Sequence, residues 1–139
     1  MIELNQDQLT AVAIATVRII LGILFFFQGF DKIFRLKNSE IMAFVPSGIS
    51  DRVSGKTNLF LIKSGAWLEL IGGILLVAGF LIQPALIILA FDLVMVSFAF
   101  SLAVPIWDLR HVFPRLAMLV FLLLSPAEAD VFSLDYVSR

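Results

Sequence analysis

Four long apolar stretches, each carrying one ionisable residue, constrain this chain more than any other feature. A bilayer core takes about 20 apolar residues in helix to cross. Ala11 to Phe27 is apolar but for Thr16 and Arg18, and the first span is placed at about 9–34. The second, at about 58–82, is interrupted from Ser64 onward only by Glu69. The third, at about 84–106, is interrupted by Asp92. The fourth, at about 108–126, is the shortest; it contains Arg115 and ends at Pro126, which favours extended geometry at Ser125. Composition agrees. Hydrophobic residues make up 60% of the chain and charged ones 15%, against about 25% charged in an ordinary soluble domain. Mean hydropathy is +1.02. The expected fold is all-α: an integral membrane four-helix antiparallel bundle, with residues 1–139 forming one domain.

The connections set the topology. Between the second and third spans only Gly79, Gln83 and Pro84 are turn-type residues, so these spans are antiparallel neighbours. The first connection, 35–57, is long. Its stretch Glu40 to Val45 is apolar enough for a short interfacial helix before a turn at Pro46-Ser47-Gly48. Met1 to Gln8 carries Glu3 and Asp7 but no Lys or Arg. It therefore lacks the positive segment of a signal peptide, and the first span is expected to be retained. Lys32, Arg35, Lys37, Arg52, Lys56 and Arg110 fall on one side, and Arg139 alone on the other. The positive-inside rule then makes the first and third connections cytoplasmic, with both termini and the tight turn outside. The expected location is a bacterial cytoplasmic (inner) membrane, crossed several times. Trp107 falls at the inner boundary of the third span.

Several function classes are excluded. The formal charge of −1 offers no basic excess for nucleic acid. Without cysteine there is no disulfide, thiolate metal site or iron–sulfur cluster within the chain. A single histidine, His111, excludes a His-cluster metal site and a bis-His haem held by one chain. No metal site is expected, and no cofactor is encoded by a recognisable motif.

Ionisable groups at membrane depth cost about 2.5–3.5 kcal/mol each on insertion scales, so they face inward and find partners. Arg18, Glu69, Asp92 and Arg115 are the candidate buried polar cluster, two cations and two anions. Counting helical rise from the outer ends places Arg18 and Asp92 at matching depth, with Glu69 and Arg115 deeper. Arg18 is expected to contact at least one of the two carboxylates, Glu69 ahead of Asp92. Lys32 and Lys63 are expected to snorkel to the inner boundary. On the first span Arg18, Gly22, Gly29 and Lys32 share a face; on the second, Gly65, Glu69, Gly72, Gly73 and Leu76 do. These glycines are the expected packing contacts, since small residues let helix backbones approach in lipid. The Phe25-Phe26-Phe27 run, Phe98 and Phe100 read chiefly as packing or lipid-facing groups, and His111 as an interfacial residue.

The motifs resemble a family. The first span reads R-x-x-x-G-x-x-x-x-x-x-G-x-x-K through Arg18, Gly22, Gly29 and Lys32. The second reads E-x-x-G-G-x-x-L-x-x-x-G through Glu69, Gly72, Gly73, Leu76 and Gly79, followed by Pro84-Ala85. The chain closes on F-S-L-D, Phe132 to Asp135. This ordered set resembles the DoxX family of small four-span bacterial membrane proteins. The resemblance implies a link to quinone-coupled or sulfur-redox complexes, since relatives include the small membrane subunit of a thiosulfate:quinone oxidoreductase. It also matches the family's Arg and Glu to Arg18 and Glu69. Where family members often carry a Gly-rich stretch before S-L-D, this chain has Pro126-Ala127-Glu128-Ala129-Asp130.

Three functions are weighed. The first is a subunit of quinone-linked redox chemistry, with Arg18 donating to a quinone carbonyl and Glu69 or Asp92 exchanging protons. Electrons would come from another membrane or soluble redox subunit, or from a bound cofactor. The second is a structural or assembly subunit whose charges only fix packing. The third, a small transporter or proton channel, has little room in four helices and no broken helix to support it. The bilayer is the one partner that composition demands; a homo-oligomer is compatible with it.

Overall fold

The computed structural model describes residues 5–43, 45, 47–101, 110 and 112–138. Among these there are helices, turns and no strand. The helix α1 runs Gln6–Phe30 and continues into a π turn, Asp31–Arg35, closed by the Leu36 amide on the Asp31 carbonyl. Short helices α2 (Asn38–Ala43) and α3 (Ser47–Ser50) occupy the first connection. They are followed by α4 (Gly55–Ala78), α5 (Ile82–Ser101) and α6 (Val112–Leu124). A 3-10 turn, Ala127–Ala129, and α7 (Leu134–Val137) close the chain.

Three helices have the length and apolarity to cross a membrane: α1 with its π turn, α4 and α5. Of the fourth expected span, the described residues show α6. α6 has 13 residues, about 20 Å against a core of about 30 Å. Trp107, His111, Phe44, Pro46 and the facing ends of the third and fourth spans lie outside the described residues. The short helix expected at Glu40 to Val45 is α2, two residues earlier. Ser47 and Gly48, expected in a turn, are instead helical in α3.

The helix ends follow local chemistry. Asn5 caps α1 through a reciprocal pair: its Oδ1 accepts from the Gln8 amide at 2.8 Å, and its own amide donates to Gln8 Oε1 at 3.0 Å. α4 stops at Ala78, not at Ile82, because Gly79 turns left-handed (φ +70°) and the Phe80 amide folds back onto the Leu75 carbonyl. Ile82 therefore starts α5, and Pro84 sits in its first turn, where no amide is needed.

The α1–α4 contact is the closest in the bundle. A Cβ at Gly73 would lie 2.5 Å from the Phe26 amide nitrogen, and one at Gly22 2.9 Å from the Gly73 carbonyl. A Cβ at Gly29 would overlap the Ala66 carbonyl. Gly72 packs instead on Leu89 of α5, and Gly65 on Asp92. The core between the helices is built from Ile14, Leu21, Phe25, Leu76, Leu86, Leu89, Leu119 and Leu122. Large apolar residues such as Phe60, Ile87, Phe91 and Leu124 point outward. An apolar outer surface on an apolar core is the pattern of a helix bundle in lipid.

Candidate functional site

The four candidate residues do not form one cluster. They divide between two ends of the α1–α4 pair. Arg18 of α1 reaches the C-terminus of α4. Its Nη1 donates to the Leu76 carbonyl and, at 3.3 Å, to that of Val77; its Nη2 donates to the Phe132 carbonyl at 3.1 Å. Its Nε stands 2.7 Å from Asp130 Oδ2, in an ion pair buried on both sides. The last carbonyls of a helix lack intrahelical partners and carry the negative end of its dipole, so a guanidinium there is doubly favoured. Asp130 neutralises it.

The expected contact between Arg18 and Glu69 or Asp92 is thus replaced by Asp130. The reason lies in the depth estimate. α1 begins at Gln6, and its residues 6–10 are exposed. Counting nine residues of cover above Arg18 overstates its depth; measured on α4 it lies at the helix end. Glu69 is about two turns further in, roughly 10 Å along the axis.

Glu69 gathers a different set. Lys32 Nζ donates to both of its oxygens, at 2.8 and 2.7 Å, and Gln28 Nε2 donates to Oε1 at 2.6 Å. Glu69 is 1% exposed; the Lys32 side chain is 25% exposed. Lys32 therefore does not snorkel away from the bundle but turns inward to the carboxylate. It sits at the start of the π turn, a widened turn that recurs at functional positions in helices.

Asp92 and Arg115 belong to this second group. Asp92 is buried on α5, its Oδ1 close to where a Cβ would project from Gly65, one turn inward of Glu69. It makes no ion pair or hydrogen bond among the described residues, and it lies within the electrostatic reach of Glu69 and Lys32. Arg115 of α6 lies in the field of Glu69 and sets its guanidinium 5.8 Å from the centroid of the buried Phe25 ring. That distance fits a cation–π contact. The result is two carboxylates and two cations on four helices, at the level of the α1–α4 glycine contact. Such a set can hold a polar head group or pass a proton between carboxylates.

The terminal F-S-L-D segment has a defined task. Ser133 caps α7 by accepting from the Tyr136 amide. Both oxygens of Asp135 accept main-chain bonds, from Leu81 and Ile82, each at 2.9 Å. They satisfy the first amides of α5 and hold Leu81 at its unusual φ of +49°. The sequence pattern does not mark Asp130 or Gln28 as site residues, and it marks Asp135 only as the end of F-S-L-D. Gln28 carries no charge signal, and Asp130 follows the last span in a stretch that reads as an exposed loop. Lys32 lies on the Arg18 face of α1, one turn beyond Gln28, and that shared face is the signal that it turns to Glu69. Among the described residues no group of three metal-binding side chains converges.

Fold and site together define a small helical membrane protein with ionic groups buried between its spans. The DoxX family model matches residues 13–102, and the chain belongs to that family. The match includes Arg18, Lys32, Glu69 and Asp92; Arg115, Asp130 and Asp135 lie beyond it. Comparison with curated proteins and with solved structures returned no match.

Proposed function

We propose that the chain is a small subunit associated with quinone-linked redox chemistry, and that Glu69, Lys32, Asp92 and Arg115 are its working groups. It sits in the bacterial cytoplasmic membrane with both termini and the α4–α5 turn outside. The observation that carries the reading is the unequal pair of buried carboxylates: Glu69 is saturated by Lys32 and Gln28, whereas Asp92 has neither ion pair nor hydrogen bond among the described residues. Arg115 likewise makes no ion pair among them. A quinone head presents carbonyl acceptors and takes up protons on reduction, so a cation and a carboxylate with no ion pair among the described residues suit it. The donor role expected of Arg18 passes to Arg115, because the Arg18 donors are already committed to carbonyls and Asp130. A bound quinone would supply the redox chemistry. The chain encodes no electron carrier, so electrons come from a partner subunit.

Purification in mild detergent followed by organic extraction tests this. Quinone is expected to copurify with the native chain and to fall away in Arg115→Leu and Asp92→Leu. If none copurifies and added quinone does not bind, the reading is overturned.

One observation favours a second reading, an assembly subunit without chemistry. The Glu69 carboxylate already accepts three hydrogen bonds, from Lys32 and Gln28, as a purely structural ion pair would. A complex that assembles and works normally with Lys32→Met and Glu69→Leu together would support that reading over the first.

A further inference from the structure

A cavity of about 340 Å³ lies between the α4–α5 turn, the end of α6 and the C-terminal segment. It is well away from the Glu69 group and within the size range of small-molecule sites. Ile14, Leu86 and Leu122 give it buried apolar walls. Ile87 and Leu123 line it from helix faces that are exposed on the outside of the bundle, so it communicates with the surface that meets lipid.

Two carboxylates line it, and they differ. Both oxygens of Asp135 are occupied by the Leu81 and Ile82 amides. Asp130 is 5% exposed, and Arg18 faces its Oδ2; its Oδ1 is buried with no hydrogen-bond partner among the described residues. A buried acceptor without a donor is an unfavourable arrangement that a bound donor would relieve. The charges set the sign of that donor. Asp130 and Asp135 against Arg18 leave a formal excess of one negative charge. An anionic head group is therefore repelled; a hydroxyl or an ammonium is not.

We propose that this cavity binds a membrane-dwelling amphiphile whose apolar body enters past Ile87 and Leu123 and whose hydroxyl or ammonium head donates to Asp130 Oδ1. The site is separate from the quinone reading and stands or falls without it.

The test uses the full chain in phosphatidylcholine nanodiscs, whose head groups carry no N–H or O–H donor. Four dodecyl probes with a terminal trifluoromethyl group are titrated and read by fluorine NMR: the alcohol, its methyl ether, the ammonium and the carboxylate. The alcohol or the ammonium is expected to saturate one site. The ether is expected to bind about tenfold more weakly, for loss of one hydrogen bond, and the carboxylate not at all. Whichever donor binds tighter assigns the head group as neutral or cationic. Ile87→Trp, at an outward-facing position, is expected to abolish binding with no change in thermal midpoint. Equal binding of ether and alcohol, binding unchanged by Ile87→Trp, or no saturation by either donor would overturn the proposal.

Discussion

Arg18 on the first helix and Asp130 in the segment after α6 are 112 positions apart, yet their side chains meet at 2.7 Å, both buried. The same guanidinium holds the carbonyls of Leu76, Val77 and Phe132. One side chain thus joins α1, the end of α4 and the C-terminal segment. Gly79 makes room for it: a Cβ there would lie 2.8 Å from Arg18 Nη1, at a φ that side chains rarely adopt.

Breaking this clasp should be costly. Asp130→Ala leaves a buried guanidinium without its counter-charge, and about 3–5 kcal/mol of stability should be lost. Arg18→Lys should lose nearly as much, because an ammonium cannot serve three carbonyls and a carboxylate in one plane. Reversible unfolding in detergent, followed by circular dichroism, measures both. A loss under about 1 kcal/mol would place the pair in contact with water.

The glycines of the α1–α4 contact make a second test. Gly73→Ala and Gly29→Ala each push a methyl into facing backbone, which cannot yield as a side chain can. Each should cost about 1–3 kcal/mol. Gly55→Ala is the control. Its Cβ would meet only Met42 at 3.9 Å, so helix propensity should make it neutral or stabilising by up to about 1 kcal/mol.

Lys32 and Glu69 should show strong energetic coupling. Lys32→Met strips the buried carboxylate of two of its three hydrogen bonds. Glu69→Gln keeps a carbonyl acceptor for Gln28 and should be milder. A double-mutant cycle with Lys32→Met and Glu69→Leu should give a coupling energy of about 1–3 kcal/mol. Additive single effects would show that the two residues act independently.

Topology can be mapped directly because the chain has no cysteine. Single substitutions Lys37→Cys, in the first connection, and Gln83→Cys, at the α4–α5 turn, introduce one thiol each. In intact cells a membrane-impermeant maleimide should label Gln83→Cys and spare Lys37→Cys. The reverse pattern would invert the proposed orientation.

The all-α membrane character, the glycine contacts and the burial of Arg18, Glu69 and Asp92 are legible in the sequence alone. Those features rest on local counts: apolar run length, helical periodicity and the cost of a charge in lipid. They need no knowledge of which helix lies beside which. Even the end of α4 was within reach, since Gly79 marks the left-handed turn that stops it. The pairing of the charges was not. Matching Arg18 to Asp92 by depth assumed that every helix starts at one plane, whereas Arg18 meets the last carbonyls of α4 and Asp92 faces Gly65, about three turns earlier on the same helix. Asp130 reaches Arg18 only because the segment after α6 folds back against the end of α4, a contact between distant parts of the chain with no periodic signature. Lys32 turns to Glu69 rather than to the membrane surface because α4 brings a buried carboxylate to that face of α1. Partner choice among buried charges depends on the relative axial shifts of the helices, and those are set by packing across the whole bundle.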